Sequence, residues 1–216
     1  MTFQDIYTEV LSARFKSSQT ASIKRWVNMR EAQIWAAAEW PWKIVGPTSL
    51  AITAADDTPT IAADISSPLS VYDANGEPLW YYIQADFNDM NLPLIANAIQ
   101  GTPGSYTWNN LVLTLSPVPD TNYTYTYTYY RKIAHFAAGG AITTGAMSLD
   151  SDYPIFDDSW HEILTLGALS TGLKVENDPT WESLEGEYTA MLGSMIDQYL
   201  PSVAVASNMQ YGRDTL

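Results

Sequence analysis

Residues 123–130 read Tyr-Thr-Tyr-Thr-Tyr-Thr-Tyr-Tyr, the clearest alternating pattern in the chain. β-Branched and aromatic residues suit a pleated surface, and successive side chains of a strand point to opposite faces. The stretch therefore predicts a β-strand. Its row of tyrosines could cover an interface with another subunit or form a platform on which sugars or bases stack. We favour the interface, with Tyr125 and Tyr127 as candidate contacts, because a platform needs only two or three rings.

The residues before this strand also alternate, and turn residues recur among them at short intervals. Asn75-Gly76 separates two apolar runs and favours the positive φ angles of a tight hairpin, and Asn109-Asn110 separates two more. Parallel strands need connections of a dozen or more residues. Closely spaced hairpins therefore predict an antiparallel sheet or small sandwich across residues 44–136.

Both ends of the chain show helical spacing instead. Apolar residues recur every three to four positions in two segments of residues 1–43, and proline ends the second segment at Trp40-Pro41. Residues 152–200 repeat this pattern, with Asp178-Pro179 as the start of the last helix. The final residues, 201–216, are small, polar and aperiodic, which predicts an extended arm.

The two helical ends need a common core. A lone helical hairpin leaves its apolar stripe in water and forgoes about 1.5–3 kcal/mol for each large side chain. We therefore predict an α+β fold in which the N-terminal hairpin, 1–43, packs on the C-terminal helices, 152–200, as a four-helix body. The antiparallel β domain, 44–136, is inserted between them, and the glycine-rich residues 137–151 form a flexible linker.

The composition excludes several classes of protein. The 216 residues include 8 Trp, 14 Tyr and 5 Phe, which disordered chains lack, and no cysteine for disulfides, thiolate nucleophiles or cysteine-bound metal. No apolar run approaches the roughly 20 residues that span a bilayer, and the N-terminus is not a signal peptide. We expect a soluble protein of intracellular origin with no membrane partner.

The net charge of −14 is unevenly distributed. Residues 1–43 contain six basic and four acidic groups, a balance of +2, so the remainder carries −16. A surface this acidic repels a phosphate backbone and argues against sequence-specific binding of nucleic acids. Only 16% of the residues are charged, against about 25% in typical domains, which suits burial against other subunits.

A search for catalytic or metal-binding motifs returns little. His135 and His161 are remote in sequence and belong to no zinc pattern, and no phosphate-binding glycine loop is present. An acidic cluster lacks the EF-hand spacing and is better read as a solvated loop with a helix cap; its members are Asp150, Asp152, Asp157 and Asp158. We predict no enzyme activity, cofactor or metal, although a carboxylate pair for hydrolysis remains the last alternative.

Three stretches of the chain resemble the head-to-tail adaptor proteins of tailed bacteriophages, the connector subunits that form a ring beneath the portal. The first is the helical pair running through Arg25-Trp26-Val27-Asn28 to Trp40-Pro41-Trp42. The second runs from Gly101-Thr102-Pro103 to the tyrosine-rich strand ending at Tyr129-Tyr130-Arg131. The third is a return helix after Pro154, then Asp178-Pro179 and a long last helix.

The resemblance implies a structural virion protein, made in the cytoplasm of the bacterial host and placed in the neck of the particle. It implies a ring of twelve copies, with the portal and the tail tube or nozzle as partners, through which genome DNA passes without specific binding. Candidate interface residues are Lys24 and Arg25, which would meet the acidic body of a neighbour. The arm supplies further candidates for docking on the portal or a neighbour: Val203, Val205, Met209 and Tyr211.

A function from another class also fits the composition. A β-sandwich carbohydrate-binding module of a receptor-binding apparatus would use exposed aromatic rings to stack on sugars. It would predict a monomer or trimer and sugar-dependent quenching of Trp80 or Trp108 fluorescence.

Overall fold

The computed structural model of the chain describes residues 1–96 and 99–200. It mixes helix and sheet, as the α+β prediction requires. Five α-helices lie in these ranges: α1 (Phe3–Arg14), α2 (Thr20–Ala37), α3 (Gln84–Ala96), α4 (Glu162–Val175) and α5 (Trp181–Tyr199). The same ranges contain eleven strands: β1 (Ile44–Ile52), β2 (Ile65–Tyr72), β3 (Trp80–Tyr81), β4 (Gln100–Gly101), β5 (Ser105–Asn109), β6 (Val112–Ser116), β7 (Val118–Pro119), β8 (Tyr123–Arg131), β9 (Ala134–Phe136), β10 (Ile142–Thr144) and β11 (Tyr153–Pro154).

The chain divides into two compact units. The helical unit combines residues 1–41 with the described residues from 135 onward, and the β unit comprises residues 42–134.

The first two helices of the helical unit follow the predicted pattern. Thr2 caps α1 in a capping box: its hydroxyl accepts from the Asp5 amide at 3.2 Å, and the Asp5 carboxylate accepts from the Thr2 amide at 2.8 Å. The second helix ends at Ala37, three residues before the predicted stop. The indole of Trp40, which is fully buried, turns back and donates to the Ile34 carbonyl at 2.5 Å.

Helix α4 contacts α1, α2 and α5, and two of its glycines allow these close approaches. A Cβ added at Gly167 would lie 2.9 Å from both Arg30 Cγ and Tyr188 Cδ2. At Gly172 it would lie 2.6 Å from Trp26 Cζ3 and would also meet the ring of Phe15. Real Cβ atoms do not approach their neighbours this closely, so the helices could not pack at these distances if either residue had a side chain.

The segment predicted to be a flexible linker, residues 137–151, contains strand β10 and the turn that connects it to β9. Strand β9 lies between β10 and β11 in a three-stranded sheet. Gly139 and Gly140 turn the chain with φ angles of 88° and 85°, which glycine adopts without steric cost, and the Ala137 amide donates to the Ala141 carbonyl at 2.7 Å. A glycine pair that suggests flexibility by composition here forms an ordered turn.

The β unit is organised around β8, the tyrosine-rich strand. It pairs antiparallel with β1 on one side and β2 on the other. Tyr125, Tyr127 and Tyr129 are buried in the core of their own chain, together with apolar residues of both neighbouring strands. The prediction that Tyr125 and Tyr127 contact another subunit is therefore wrong, because their rings are 1% and 2% exposed.

The two predicted hairpins have different outcomes. Strands β5 and β6 form the second one, and its turn residues are Asn110 and Leu111, at φ 49° and 65°, one position later than predicted. The first one is present only in part: Gly76 turns the chain at φ 84°, and the Asp73 and Leu79 amides donate to the Glu77 and Val71 carbonyls at 2.9 and 2.8 Å, but β3 pairs with β5 in another sheet.

Two strand pairs are parallel, which corrects the prediction of an entirely antiparallel domain. Strand β3 runs parallel to β5, and β4 runs parallel to β7. Helix α3, which the sequence pattern missed, lies between β3 and β5 and supplies the long connection that a parallel pair requires. Residues of low helix propensity hid it; these include Asp86, Asn88 and Asp89.

We expect Gly172→Ala to destabilise the helical unit by about 1–3 kcal/mol, because the new methyl group overpacks the rings of Phe15 and Trp26. Gly186→Ala in α5 is the matched control: nothing lies within 4 Å of its Cβ position, so the better helix propensity of alanine should stabilise by up to about 1 kcal/mol. Urea unfolding of both variants checks this. Equal effects at the two sites would show that packing at Gly172 is not tight.

Candidate interaction surface

Arg30 connects three helices of the helical unit. From α2, its Nε donates to the Gly167 carbonyl of α4 at 3.0 Å and to the Thr171 hydroxyl at 2.9 Å. Its two terminal nitrogens donate to the two carboxylate oxygens of Glu185 in α5, at 2.9 and 2.5 Å. The guanidinium also lies 4.6 Å from the ring centre of Tyr188. The Arg30 side chain is only 8% exposed, so its guanidinium belongs to the core of the helical unit.

The ion pair with Arg30 favours the charged form of Glu185. Hydrogen bonds from Arg30, opposed by partial burial and aided by the Ser170 hydroxyl at 2.7 Å, lower the pKa of the Glu185 carboxyl. Arg30 lies within the apolar stripe of α2, between Val27 and Ile34. A charged residue inside such a stripe is the sequence signal that could have identified this connection.

Other basic groups of residues 1–43 are also paired within the chain. Lys24 Nζ donates to Asp150 at 2.6 Å and lies 4.3 Å from the ring centre of Tyr7. Its hydrogen bond to Asp150 raises the pKa of Lys24. Arg14 donates to Asp178 at 2.5 Å. Lys24 is therefore a less favourable interface candidate than its sequence position suggests.

Arg25 differs from these residues. It is exposed on α2 and forms no ion pair with any residue in 1–96 or 99–200. Its cationic group is therefore available to a molecule outside the chain.

Helix α5 buries only part of its apolar stripe. Tyr188 and Met195 are buried, whereas the other large apolar residues of the stripe are half-buried; they are Trp181, Leu184, Met191, Leu192, Ile196 and Tyr199. The solvent side of the helix carries exposed acidic residues: Glu182, Glu187 and Asp197. The helix thus presents an acidic surface beside an incompletely buried apolar one.

The β unit carries exposed aromatic residues of its own. Trp80 and Tyr81 are 71% and 53% exposed. Tyr81, Tyr106 and Trp108 line a shallow cleft, whose remaining walls are Ser67, Pro68 and Leu69. Trp108 is half-buried there.

The four candidate residues of the arm lie outside the described part of the chain; they are Val203, Val205, Met209 and Tyr211. The sequence prediction for them stays a prediction.

The acidic residues near residue 150 do not form one site. Asp150 accepts from Lys24, Asp152 is buried, and Asp157 caps a 3₁₀ turn by accepting from the Ser159 amide at 2.9 Å. Over residues 1–96 and 99–200, no three His, Cys, Asp or Glu side chains come together in a way that could hold a metal ion. His161 is buried and its ring contacts the Phe156 carbonyl at 2.9 Å; burial lowers its pKa.

The chain was compared with known families and proteins. The family model described as "SU10 adaptor protein" matches residues 1–213, almost the entire chain. The chain belongs to the SU10 adaptor protein family. A comparison with curated proteins finds no match.

Membership of the SU10 adaptor family makes the chain a phage head-to-tail adaptor, a structural component of the virion. Adaptors of this family interact with portal and tail proteins. In the part of this adaptor that the structure describes, no helix combines the length and the hydropathy needed to cross a membrane.

Glu185→Gln should destabilise the helical unit of the adaptor by about 1–3 kcal/mol, because it leaves the buried guanidinium of Arg30 without a counter-charge. The loss should be smaller than for a fully buried pair, since the Glu185 side chain is 34% exposed. Urea unfolding at neutral pH measures it, with Glu187→Gln on the exposed face as the control.

The contribution of Glu185 to the free energy of unfolding should depend on pH. The pKa of Glu185 is lower in the folded chain, so its contribution is present above the unfolded value, near 4.5, and is lost as the pH falls through the folded value. The difference in stability between wild type and Glu185→Gln should therefore shrink in acid. A difference that stays constant with pH would contradict a charge-dependent role.

Proposed function

We propose that this adaptor forms a closed ring beneath the portal and joins it to the tail, with α1, α2, α4 and α5 acting as one four-helix body. The observation that carries the proposal is the family match over residues 1–213. The incompletely buried stripe of α5 supports it, because large half-exposed apolar surfaces mark interaction sites. Family resemblance suggests twelve copies.

Ring closure requires a head-to-tail interface, in which one patch of a subunit meets a different patch of the next. Arg25 is an exposed cation on α2 with no ion pair among the described residues, and α5 presents exposed carboxylates. We propose that Arg25 of one copy faces the acidic side of α5 of its neighbour, where opposite charges would fix orientation and register.

The acidity of the chain fits a DNA channel. A lumen that repels phosphate lets a duplex slide without specific binding. We propose that acidic residues of the β unit or of residues 137–151 face this channel, and that the arm from Val203 to Leu216 docks on the portal or a neighbour.

Native mass spectrometry and negative-stain imaging, with and without the portal protein, test the proposed assembly. Rings centred on the portal axis are expected. Isolated monomers in the presence of portal would contradict the proposal.

Charge reversal tests the interface directly. Arg25→Glu should weaken ring formation on the portal by at least about tenfold, because it places like charges opposite each other. Adding Glu187→Arg in the same chain should restore part of the loss if the two residues face each other between copies. Lys132→Glu, the same charge change at an exposed position of the β unit, is the control. Equal losses for Arg25→Glu and Lys132→Glu would indicate a net-charge effect.

A lysine substitution at Glu77, an exposed acidic residue of the β unit, tests the channel. Glu77→Lys should slow DNA ejection from assembled particles, since an added cation attracts the phosphate backbone. Time-resolved ejection from particles carrying the variant measures the rate. Unchanged ejection would count against a channel position for this turn.

The aromatic cleft favours the second candidate function, a carbohydrate-binding module. Tyr81 is exposed and Trp108 is half-buried, and rings of this kind are those on which sugars stack. Quenching of Trp80 or Trp108 fluorescence by sugars, together with failure to assemble on portal, would favour this function over the ring.

A further inference from the structure

Glu31 is a buried carboxyl group with no described hydrogen-bond partner. It lies on α2, its side chain is 0% exposed, and both carboxyl oxygens lack a donor. A buried carboxylate without compensation is costly, so such a group either finds a counter-charge or keeps its proton. Arg30, the adjacent residue in sequence, is committed to α4 and Glu185 and does not supply that charge.

A second buried carboxyl group, Asp152, acts on Glu31 electrostatically. One oxygen of Asp152 accepts from the amides of Ser148 and Leu149 at 2.8 and 2.7 Å, and it lies 3.3 Å from His135 Nε2 of β9. Its other oxygen has no described partner. Asp152 thus has hydrogen-bond partners at one oxygen, whereas Glu31 has none at either oxygen among the described residues.

The segment 147–152 is attached to the first two helices around this cluster. Asn28 Nδ2 donates to the Met147 carbonyl at 2.9 Å, and Lys24 holds Asp150 at 2.6 Å. The Phe3 amide donates to the carbonyl of Asp152 at 2.6 Å. Lys24, Asn28 and Glu31 recur at helical spacing on α2, so these hydrogen bonds hold segment 147–152 against the side of α2 that carries Glu31.

A proton neutralises Glu31 better than a cation would. The described residues contain no group of acidic or histidine side chains arranged to hold a metal ion. Burial, and secondarily the negative charge of Asp152, raise the pKa of Glu31 to about 8. Among the described residues, Asp152 is the charged group that acts on Glu31, and His135 Nε2 lies 3.3 Å from the Asp152 carboxylate.

We propose that Glu31 is a protonation-controlled latch: its neutral form lets segment 147–152 lie against α2, and loss of its proton releases that segment. The latch is a property of the single subunit and goes beyond the proposed ring, so it is tested on the isolated chain.

The raised pKa of Glu31 determines how the attachment of segment 147–152 changes with pH. The folded chain holds the Glu31 proton up to about pH 8, whereas the unfolded chain loses it near its ordinary value of 4.5. The segment is therefore most secure in acid, becomes less secure as the pH rises from 4.5, and carries two buried negative charges above about pH 8.

Hydrogen–deuterium exchange of the peptide covering residues 145–154 tests the latch in wild type, Glu31→Gln and the exposed control Glu187→Gln. After correction for intrinsic exchange, opening in the wild type should rise by up to about tenfold per pH unit between about pH 5 and pH 8, the change that one unit allows for one proton, and should level off above about pH 8. Glu187→Gln should behave as wild type, and Glu31→Gln should show no rise. Equal profiles for wild type and Glu31→Gln would overturn the proposal.

Infrared spectroscopy of the wild-type chain tests the same claim without a substitution, in case Glu31→Gln does not fold. A carboxylic-acid carbonyl band should be present near neutral pH and lost between about pH 7 and pH 9. Absence of that band would overturn the proposal. Calcium chloride added at about pH 9 tests for a cation: restored protection that EDTA abolishes would assign the cluster to a metal ion and also overturn it.

Discussion

Arg30 makes the contact on which the helical unit depends. Its guanidinium joins helices that are more than 130 residues apart in the sequence, and it does so through a carbonyl, a hydroxyl and a carboxylate at once. This is possible because Gly167 brings the backbone of α4 next to the stem of Arg30. The buried charge and the close packing therefore depend on each other. Gly167 leaves room for the Arg30 side chain beside α4, and the carboxylate of Glu185 compensates the buried cation.

The same use of charge within the subunit limits what remains for assembly. Residues 1–43 carry +2, and the sequence alone suggests a basic patch for a neighbour. Arg14, Lys24 and Arg30 instead neutralise carboxylates of their own chain, whereas Lys16 and Arg25 are exposed and have no ion pair within the described residues. In the proposed ring, orientation would therefore depend on a small number of positive charges.

Local signals made much of the fold predictable. The helical spacing within residues 1–43, the alternation of residues 123–130 and the turn near Asn110 are encoded over a few residues, and each element is present. Helix α3 was missed because its asparagine and aspartate residues have low helix propensity, and only the surrounding structure favours a helix there.

Long-range partners were not predictable in the same way. Alternation shows that the tyrosines of β8 share a face but not whether that face meets its own chain or another. Similarly, nothing near Glu31 indicates that Asp152, more than 100 residues later, will be its buried neighbour. The sequence therefore indicates only part of the proposed interface: Arg25 is a candidate from charge alone, whereas the ion pair of Glu185 and the exposed face of α5 depend on how the helices pack.

The tyrosine hydroxyls of β8 form hydrogen bonds to segments outside its own sheet. Tyr127 accepts from the Ala62 amide at 2.8 Å, Tyr125 donates to the Pro103 carbonyl at 3.0 Å, and Tyr129 donates to Asp64 at 2.8 Å. Each tyrosine ring lies in the core, and its hydroxyl bonds to a connecting segment. The strand therefore fixes the positions of loops that do not pair with it in the sheet. Removing one oxygen atom by exchanging a tyrosine for phenylalanine would leave the interior filled and alter the outer contour of the subunit instead.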